Sequence, residues 1–509
     1  MSDSLELQSL FEDNNHVDEL TYQKIKWLEL NDTENGVYGG GEVNFITDSQ
    51  MKNHIVYSDS MLALPIRANL STKGRLCFKS SILSVIQGLA IESGSGTTIL
   101  NEKQSTPIVN NLKLLLDSGV DYIEGNALHY YGPDKTVEHN SSGDDVSLIG
   151  GVQSTVSVGD GEMSDAMDFL KNKALCDRIS VFESQCTRTA AAAPALAKVE
   201  FVAYIPLKFI SDFFAQMDFP ITNLSLKIRF NVSGVDGYKS HSPWTTPAFG
   251  GYLSVGTVAS VEDAPKVESA TAAAVVASTE IIANYKDRFD STHSPRLLLK
   301  SVTFNQAEGV ALLGRIAAGF TKTLTFGTSV HYSKEQQATE AVDWPFVQGI
   351  IRPTRLWVFP LEKGTLASSG NTFPARVGPL ILKDMNLMLN GNMFYDRDFK
   401  TQQDFYREFK TQLIGASTSQ QIASPISYSD WVSGFRPYCF DLSRDLTVKT
   451  NNLCTLAIKA ALLDQSQGAV AVAPVAAYDL HIIAERLRTV QFKVSAGGIE
   501  VLVKDGDGK

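Results

Sequence analysis

The stretch Thr222–Val232, "TNLSLKIRFNV", alternates without interruption. Leu224, Leu226, Ile228, Phe230 and Val232 point to one side, and Asn223, Ser225, Lys227, Arg229 and Asn231 to the other. Period two over this length predicts a strand with one face on a core and the other in water, as antiparallel sheets allow. A parallel strand covered on both faces would be almost continuously apolar instead. The preceding residues tighten the constraint. "FVAYIP" (Phe201–Pro206) reads as a strand, and Pro206 and Pro220 bracket a short, very apolar stretch. A helix there can run only from Lys208 to Met217, too short for a crossover, which takes a dozen or more residues. Phe209, Ile210, Phe213, Phe214 and Met217 cover more than half of its surface, so it must be buried nearly all round. The segment therefore predicts a helical plug at the end of a β-sandwich, or between two neighbouring sandwiches.

The same patterning recurs along the chain. Strands are predicted at Glu42–Thr47, Ile55–Leu70, Arg75–Ile91 and Tyr122–Tyr131, with a helix at Pro107–Asp117 between the last two. Asn140–Asp165 is rich in Ser, Gly and Asp and reads as a long surface loop. Ser233–Val276 holds three prolines, five glycines and an Ala-rich stretch, a composition break that marks a connection. Beyond it, strands are predicted at Arg296–Asn305, Phe320–Tyr332, Thr354–Leu361, Leu380–Gly391, Asn451–Leu463 and Arg488–Val503. One strong helix interrupts them, Thr401–Leu413, with Thr401 as its cap, Asp404 in the first turn and Phe405, Phe409 and Leu413 on one face. The expected fold is all-β: two tandem eight-stranded antiparallel jelly-roll sandwiches with short helical insertions. The expected boundaries are an acidic N-terminal arm at 1–36, a first jelly roll at 37–235, a Pro/Gly/Ala-rich connection at 236–285 and a second jelly roll at 286–505.

Charge and composition exclude several classes. The chain has 509 residues and a net charge of −11. The first 36 residues hold nine acidic and two basic side chains. A tail that grips nucleic acid is basic, because phosphate contacts need Lys and Arg. This arm carries Leu7, Leu10 and Phe11 at helical spacing and reads either as a frayed terminus or, the preferred reading, as a segment that orders against a neighbouring subunit. The longest apolar tract near the end, Gly468–Tyr478, is too short to span a bilayer and is broken by Pro474. The N-terminus has neither a basic nor an apolar signal region, which predicts a cytoplasmic product. The five cysteines are scattered with no CxxC spacing, as small core residues are.

No constellation for chemistry emerges. Walker A and GxSxG motifs are absent, and the eight histidines form neither HxH nor HExxH. "GSGTTI" (Gly94–Ile99) lacks the third glycine of a dinucleotide loop and reads as a hairpin turn. "KDGDGK" (Lys504–Lys509) lacks the downstream acid of a calcium loop and reads as a solvated tail. No catalytic, cofactor-binding or metal-binding residue is expected, no cofactor is expected, and the chain is not read as an enzyme. Two aromatic stretches, Asp430–Leu446 and Phe394–Phe409, keep open a carbohydrate-binding or carbohydrate-active β-sandwich protein, against their reading as packed core.

"YIPLKFISDFFAQMDFPITNLSLKIRF" resembles the end of the first jelly roll in double jelly-roll major capsid proteins of dsDNA viruses. Ile205-Pro206-Leu207, Phe209–Phe214, Pro220 and Leu224–Phe230 occupy the strand end, the aromatic helix, the turn and the last strand. "AAYDLHIIAERLRTVQFKVSAGGIEVLV" (Ala476–Val503) resembles the closing strands of the second jelly roll, with Gly497 and Gly498 in the turn. "LNGNMFYDRDFKTQQDFYREFKTQL" and "FRPYCFDLSRDL" lean toward the virophage and Polinton-like virus members, of the mavirus type. The resemblance implies a major capsid protein whose homotrimers, pseudo-hexameric because three chains give six lobes, tile an icosahedral shell. It implies capsomer–capsomer contacts, a penton protein at the vertices and minor capsid proteins as partners. It implies no sequence-specific nucleic-acid binding, no membrane span, a place in the virion capsid and assembly in the host cytoplasm.

Overall fold

The computed structural model describes residues 22–34, 42–50, 52–70, 74–78, 82–103, 109–110, 137–139, 145–149, 152–156, 187–189, 197–232, 253–257, 276–287, 289–305, 309, 314, 319–337, 339–362, 381–410, 428, 431, 437–449, 452–463, 477–495 and 498–504. Its framework is built in two units. The first contains β1 (Tyr22–Asn31), β2 (Glu42–Ile46), β3 (His54–Leu70), β4 (Ile86–Ser93), β5 (Thr98–Lys103), β6 (Ala197–Pro206), β7 (Leu226–Val232) and β8 (Arg296–Phe304). The second contains β9 (Phe320–Gln337), β10 (Val342–Ile351), β11 (Pro353–Glu362), β12 (Leu382–Leu389), β13 (Asn392–Met393), β14 (Tyr438–Asp441), β15 (Leu453–Leu462) and β16 (Ala477–Ser495).

All pairings are antiparallel. The first unit forms the sheets β1-β8-β3-β6 and β2-β7-β4-β5. The second forms β9-β16-β11-β14 and β10-β15-β12-β13. Adding eight to each strand number converts the first pair of sheets into the second. The units are therefore two eight-stranded jelly rolls of one topology, which their sequences do not reveal by eye.

The strand that opens the sequence argument is β7, and its alternation is realised. Leu226, Ile228, Phe230 and Val232 are buried, while Lys227 and Arg229 face water. It lies between β2 and β4, with Phe230 opposite Val43 and Leu89. The helix ahead of it differs from expectation. In place of one helix over Lys208–Met217 there are two single turns, α1 (Leu207–Ile210) and α2 (Asp212–Ala215). Ser211 is extended between them (φ −153°, ψ 140°), and its hydroxyl accepts from the Phe213 amide. A serine that can hydrogen-bond the backbone locally competes with helix continuation and favours a cap. Of the five residues expected to bury the plug, Ile210, Phe213, Phe214 and Met217 are fully buried and Phe209 is partly buried against the same core; Leu207 is buried with them.

Two strands lie outside the jelly-roll boundaries read from the sequence. β1 falls within the stretch assigned to the acidic arm. β8 falls within the stretch assigned to the second jelly roll, yet it pairs with β1 and β3 of the first. β7 is thus not the last strand of its unit, and the composition break is an insertion between the seventh and eighth strands. Leu253–Thr257, within that insertion, pairs with Gly74–Phe78, and Val276–Ile281 pairs with β3. Likewise, the loop expected at Asn140–Asp165 contains Asp145–Ile149 and Val152–Val156, paired as neighbouring strands. The strands predicted at Tyr122–Tyr131 and most of the helix at Pro107–Asp117 lie outside the described residues.

In the second unit, α3 (Gln402–Lys410) follows the capping reading. Thr401 Oγ1 accepts from the Asp404 amide at 3.2 Å, and the Asp404 carboxylate accepts from the Thr401 amide at 3.3 Å. Phe405 and Phe409 are buried; Leu413 lies outside the described residues. "GSGTTI" forms the turn from β4 into β5, with Gly96 at φ +87°. A second tight turn, Asn390-Gly391 between β12 and β13, has both residues at positive φ (52° and 83°), the conformation that two-residue hairpins require.

Candidate functional site: the seam between the two jelly rolls

The feature that distinguishes this chain from two independent sandwiches is the way they are joined. β9 and β16 are 18 and 19 residues long, and their pairing is unbroken from Phe320–Val494 to Gln337–Ala477. β11 pairs only with the Tyr478–Arg486 part of β16. At about 3.3 Å per residue, the remainder overhangs its own sandwich by roughly 25 Å. Gly498–Lys504 pairs along that overhang.

The overhang is where the first unit packs. Leu324 and Phe326 of β9, Val490 and Phe492 of β16 and Val501 belong to the first unit's hydrophobic core. Phe213 of α2 stands at the centre. Its ring meets Phe326 edge-on at 5.3 Å, Phe492 at 6.5 Å and Phe214 at 5.4 Å. Phe214 in turn stacks on Tyr57 of β3 at 6.2 Å. Burial pushes the Tyr57 phenol up to about 12. Aromatic edge-to-face pairs add roughly 0.5–1.5 kcal/mol each beyond the area they bury. Polar contacts rim the aromatic centre. The Ser329 amide of β9 donates to buried Glu102 of β5 at 3.0 Å, the Arg488 guanidinium donates to the Thr98 carbonyl at 3.4 Å, and the Lys322 ammonium lies 5.1 Å from the Phe219 ring centre. The plug read from the sequence therefore does both things that reading allowed: it closes the first sandwich and fills the space to the second.

The second unit has a further buried polar layer. Glu485 is 3% exposed; it accepts from Arg355 Nε at 2.9 Å and from Trp357 Nε1 at 2.8 Å. His331 and His481 stack with ring planes 14° apart, and their facing nitrogens are 3.1 Å apart, so one donates while the other accepts. Burial holds His331 down at about 4 and His481 at about 3, the neighbouring His331 adding to the effect on His481.

Most of the described aromatic side chains in the two stretches weighed as stacking sites belong to the core. Trp431, Tyr438 and Phe440 are fully buried, and Phe399 and Phe405 nearly so. Tyr438 Oη accepts from the Leu382 amide, and its ring packs on Phe405 at 4.7 Å. Phe394, Tyr395 and Tyr406, partly buried, pack against the same core, so the described aromatic side chains of the two stretches do not favour the carbohydrate reading; Phe435 lies outside the described residues. "KDGDGK" beyond Lys504 lies outside the described residues. Cys439 and Cys454 are free thiols buried in the core, as expected; burial pushes the Cys439 thiol up. Among the described residues, no three metal-ligating side chains come together.

Sequence reasoning missed one exposed feature. Residues 23–27 of β1 are exposed on both faces of the strand, with Ile25 54% and Trp27 52% exposed. The alternating "KIKWLEL" carries a strand signal, but it is masked by the acidic residues around it.

No family model and no curated protein sequence matches the chain. Solved structures do. The chain is similar to a chain of the Sputnik virophage, determined by cryo-EM at 3.5 Å resolution, with TM-score 0.56 and 12% identity over 96% of this chain and 90% of that one. It is also similar to the mavirus major capsid protein, with TM-score 0.50 and 13% identity over 95% of this chain and 90% of that one. Two jelly rolls of identical strand order, joined through one aromatic seam and matched over nearly their whole length, give this chain the double jelly-roll fold.

Proposed function

We propose that the chain is a major capsid protein: three copies associate into a pseudo-hexameric tile of an icosahedral dsDNA virus shell. The observation that carries this reading is the duplicated topology locked by the seam. Two like lobes held side by side in one chain become six lobes in a trimer, the outline a hexagonal lattice position needs. The similarity to the mavirus major capsid protein along 95% of the chain supports it. The role is structural: the buried histidines, acids and aromatics described above are all engaged in packing. Partners on this reading are further copies of the chain, a penton protein at the five-fold vertices and minor capsid proteins, with assembly in the host cytoplasm. Negative-stain microscopy of the purified chain tests it. Six-lobed particles or closed shells are expected; a field of isolated two-lobed particles at micromolar concentration would overturn it.

A further inference from the structure

The outer face of the first unit carries a chain of polar side chains that neither the core nor the seam uses. Leu62, Leu64 and Ile66 of β3 and Phe201, Ala203 and Ile205 of β6 belong to the core. Ala63, Pro65, Val202 and Tyr204 therefore face the other way, yet Ala63 and Pro65 are buried. Residues 282–296 cross this face. The Ile282 amide donates to the Pro65 carbonyl at 3.0 Å. Tyr285, 4% exposed, reaches past β3, and its hydroxyl donates to the Glu200 carbonyl of β6 at 3.3 Å. Tyr285–Lys286 pairs with Thr292–His293 to make a hairpin. One carboxylate ties its tip: Asp287 accepts from the Phe289 and Ser291 amides at 2.8 and 2.9 Å and faces His293 Nε2 at 2.9 Å. On the far side of the ring, His293 Nδ1 lies 3.2 Å from Arg296 Nη2, while Arg296 Nη1 donates to Glu29 of β1 at 2.7 Å. The Tyr204 hydroxyl of β6 accepts from the same guanidinium.

A guanidinium only donates, so Nδ1 accepts from Arg296 and Nε2 carries the proton that goes to Asp287. The closed arrangement thus holds His293 as a neutral imidazole in one tautomer. A second proton would sit on Nδ1, donor against donor and cation against cation, 3.2 Å from the guanidinium. We propose that His293 is an acid-released latch: neutral, it ties the hairpin 285–293 to Arg296 on the outer face of the first jelly roll, and protonated it lets the hairpin swing away. The placing of the charges sets where the contact parts. Asp287 lies on the hairpin and gains a full ion pair with the imidazolium, whereas Arg296 begins β8 and keeps Glu29. The His293 hydrogen bond, with the Ser291 and Phe289 amides adding to it, holds the Asp287 carboxyl below the usual carboxylate range, so Asp287 stays charged where histidines titrate. The other described titratable groups around the ring are committed elsewhere. Tyr285 packs 5.9 Å from it, Lys286 pairs with Asp290 at 2.9 Å, Arg67 pairs with the Glu200 carboxylate, and burial pushes the Tyr204 phenol up, so it stays neutral. Arg288 lies outside the described residues. Opening uncovers Ala63, Pro65 and Tyr285 and moves the tip with its Phe289 ring, 75% exposed already in the closed form. The outer face of the sandwich then has two states, selected by pH. The inference goes beyond the proposed function and does not depend on it, since every residue of the latch lies in one chain.

Hydrogen exchange of the full chain, followed peptide by peptide at about pH 7 and about pH 5 and corrected for the chemical pH dependence of exchange, tests the latch. A two-stranded hairpin is marginal in water once it loses its support. Peptides covering residues 282–294 are therefore expected to lose protection by about tenfold or more at the lower pH, the worth of a hydrogen bond to a charged group. Peptides from β7 are expected to keep theirs. His293→Asn retains an amide oxygen to accept from Arg296 and cannot titrate. Arg296→Gln can turn its amide to accept from a protonated ring. In both variants the hairpin is expected to be equally protected at the two pH values, and either variant decides if the other fails to fold. The double variant His331→Gln with His481→Gln is expected to keep the hairpin's response, which separates the latch from the stacked pair. Unchanged protection of the wild-type hairpin at the lower pH overturns the latch. So does a loss that His293→Asn and Arg296→Gln repeat in full, or one that spreads equally over the whole first jelly roll.

Discussion

At the scale of single residues, the seam concentrates its energy in Phe213. Its ring is fully buried and touches aromatic side chains from both units. Truncation to alanine removes a buried aromatic and leaves a cavity, a change that costs about 3–5 kcal/mol. Phe213→Asp adds a buried, unpaired carboxylate and is expected to prevent soluble folding of the first jelly roll, read as loss of expression in the soluble fraction. Soluble, fully assembled Phe213→Asp protein would show that the seam does not depend on this ring. Glu485 offers an independent test in the second unit. Removing Arg355 leaves its buried carboxylate with the Trp357 donor but without its cation, so Arg355→Ala is expected to destabilise by about 3–5 kcal/mol in denaturant unfolding. A loss under 1 kcal/mol would mean that the pair is solvated.

At the scale of elements, the stacked His331–His481 pair ties β9 to β16 and gives the second unit a pH dependence. Both imidazoles titrate below the ordinary 6.5, near 4 and near 3, because burial disfavours the charged form. The unfolded chain therefore takes up protons before the folded one as pH falls. The stability they lend is fully present above pH 6.5 and is lost progressively toward pH 4 and 3, at up to ~1.4 kcal/mol per pH unit for each histidine. Urea midpoints measured between pH 7 and pH 5 are expected to fall, and the double variant His331→Gln with His481→Gln to flatten the slope; an equal slope in the variant would refute the assignment. At α3, Thr401→Ala removes the cap of a well-formed helix and is expected to cost about 1 kcal/mol. Which elements could be read from the chain follows from their local physics. β7 alternates over its whole length, so period alone finds it. β10 contains Pro345 and Gly349 and shifts register at Pro345/Val347 and Val347/Ile350, so no clean period survives. β1 hides among acidic residues, and β8 was given to the wrong unit because its partners β1 and β3 are far away in sequence. The plug's burial was legible from its composition. Its division at Ser211 was not, since one serine hydroxyl on a backbone amide decides it.

At the scale of the whole molecule, the chain holds two jelly rolls of one strand order that differ where they meet. In the second unit two long strands overhang their sandwich and carry the aromatic side of the seam; in the first unit β8 stays paired with β3 as far as Val302. This asymmetry makes the two lobes of the building block distinct. The acidic balance follows the same logic, since a protein meant to associate only at defined surfaces gains from general repulsion elsewhere. The fold was readable from strand count and alternation, whereas the junction was not, because it depends on register relations between strands hundreds of residues apart. The central claim is that this building block closes on itself in threes. Sedimentation equilibrium of the purified full-length chain at micromolar concentration tests it most directly. The account predicts a single species at three times the 55.5 kDa chain mass. A folded species that stays at the mass of one chain as concentration rises would contradict it.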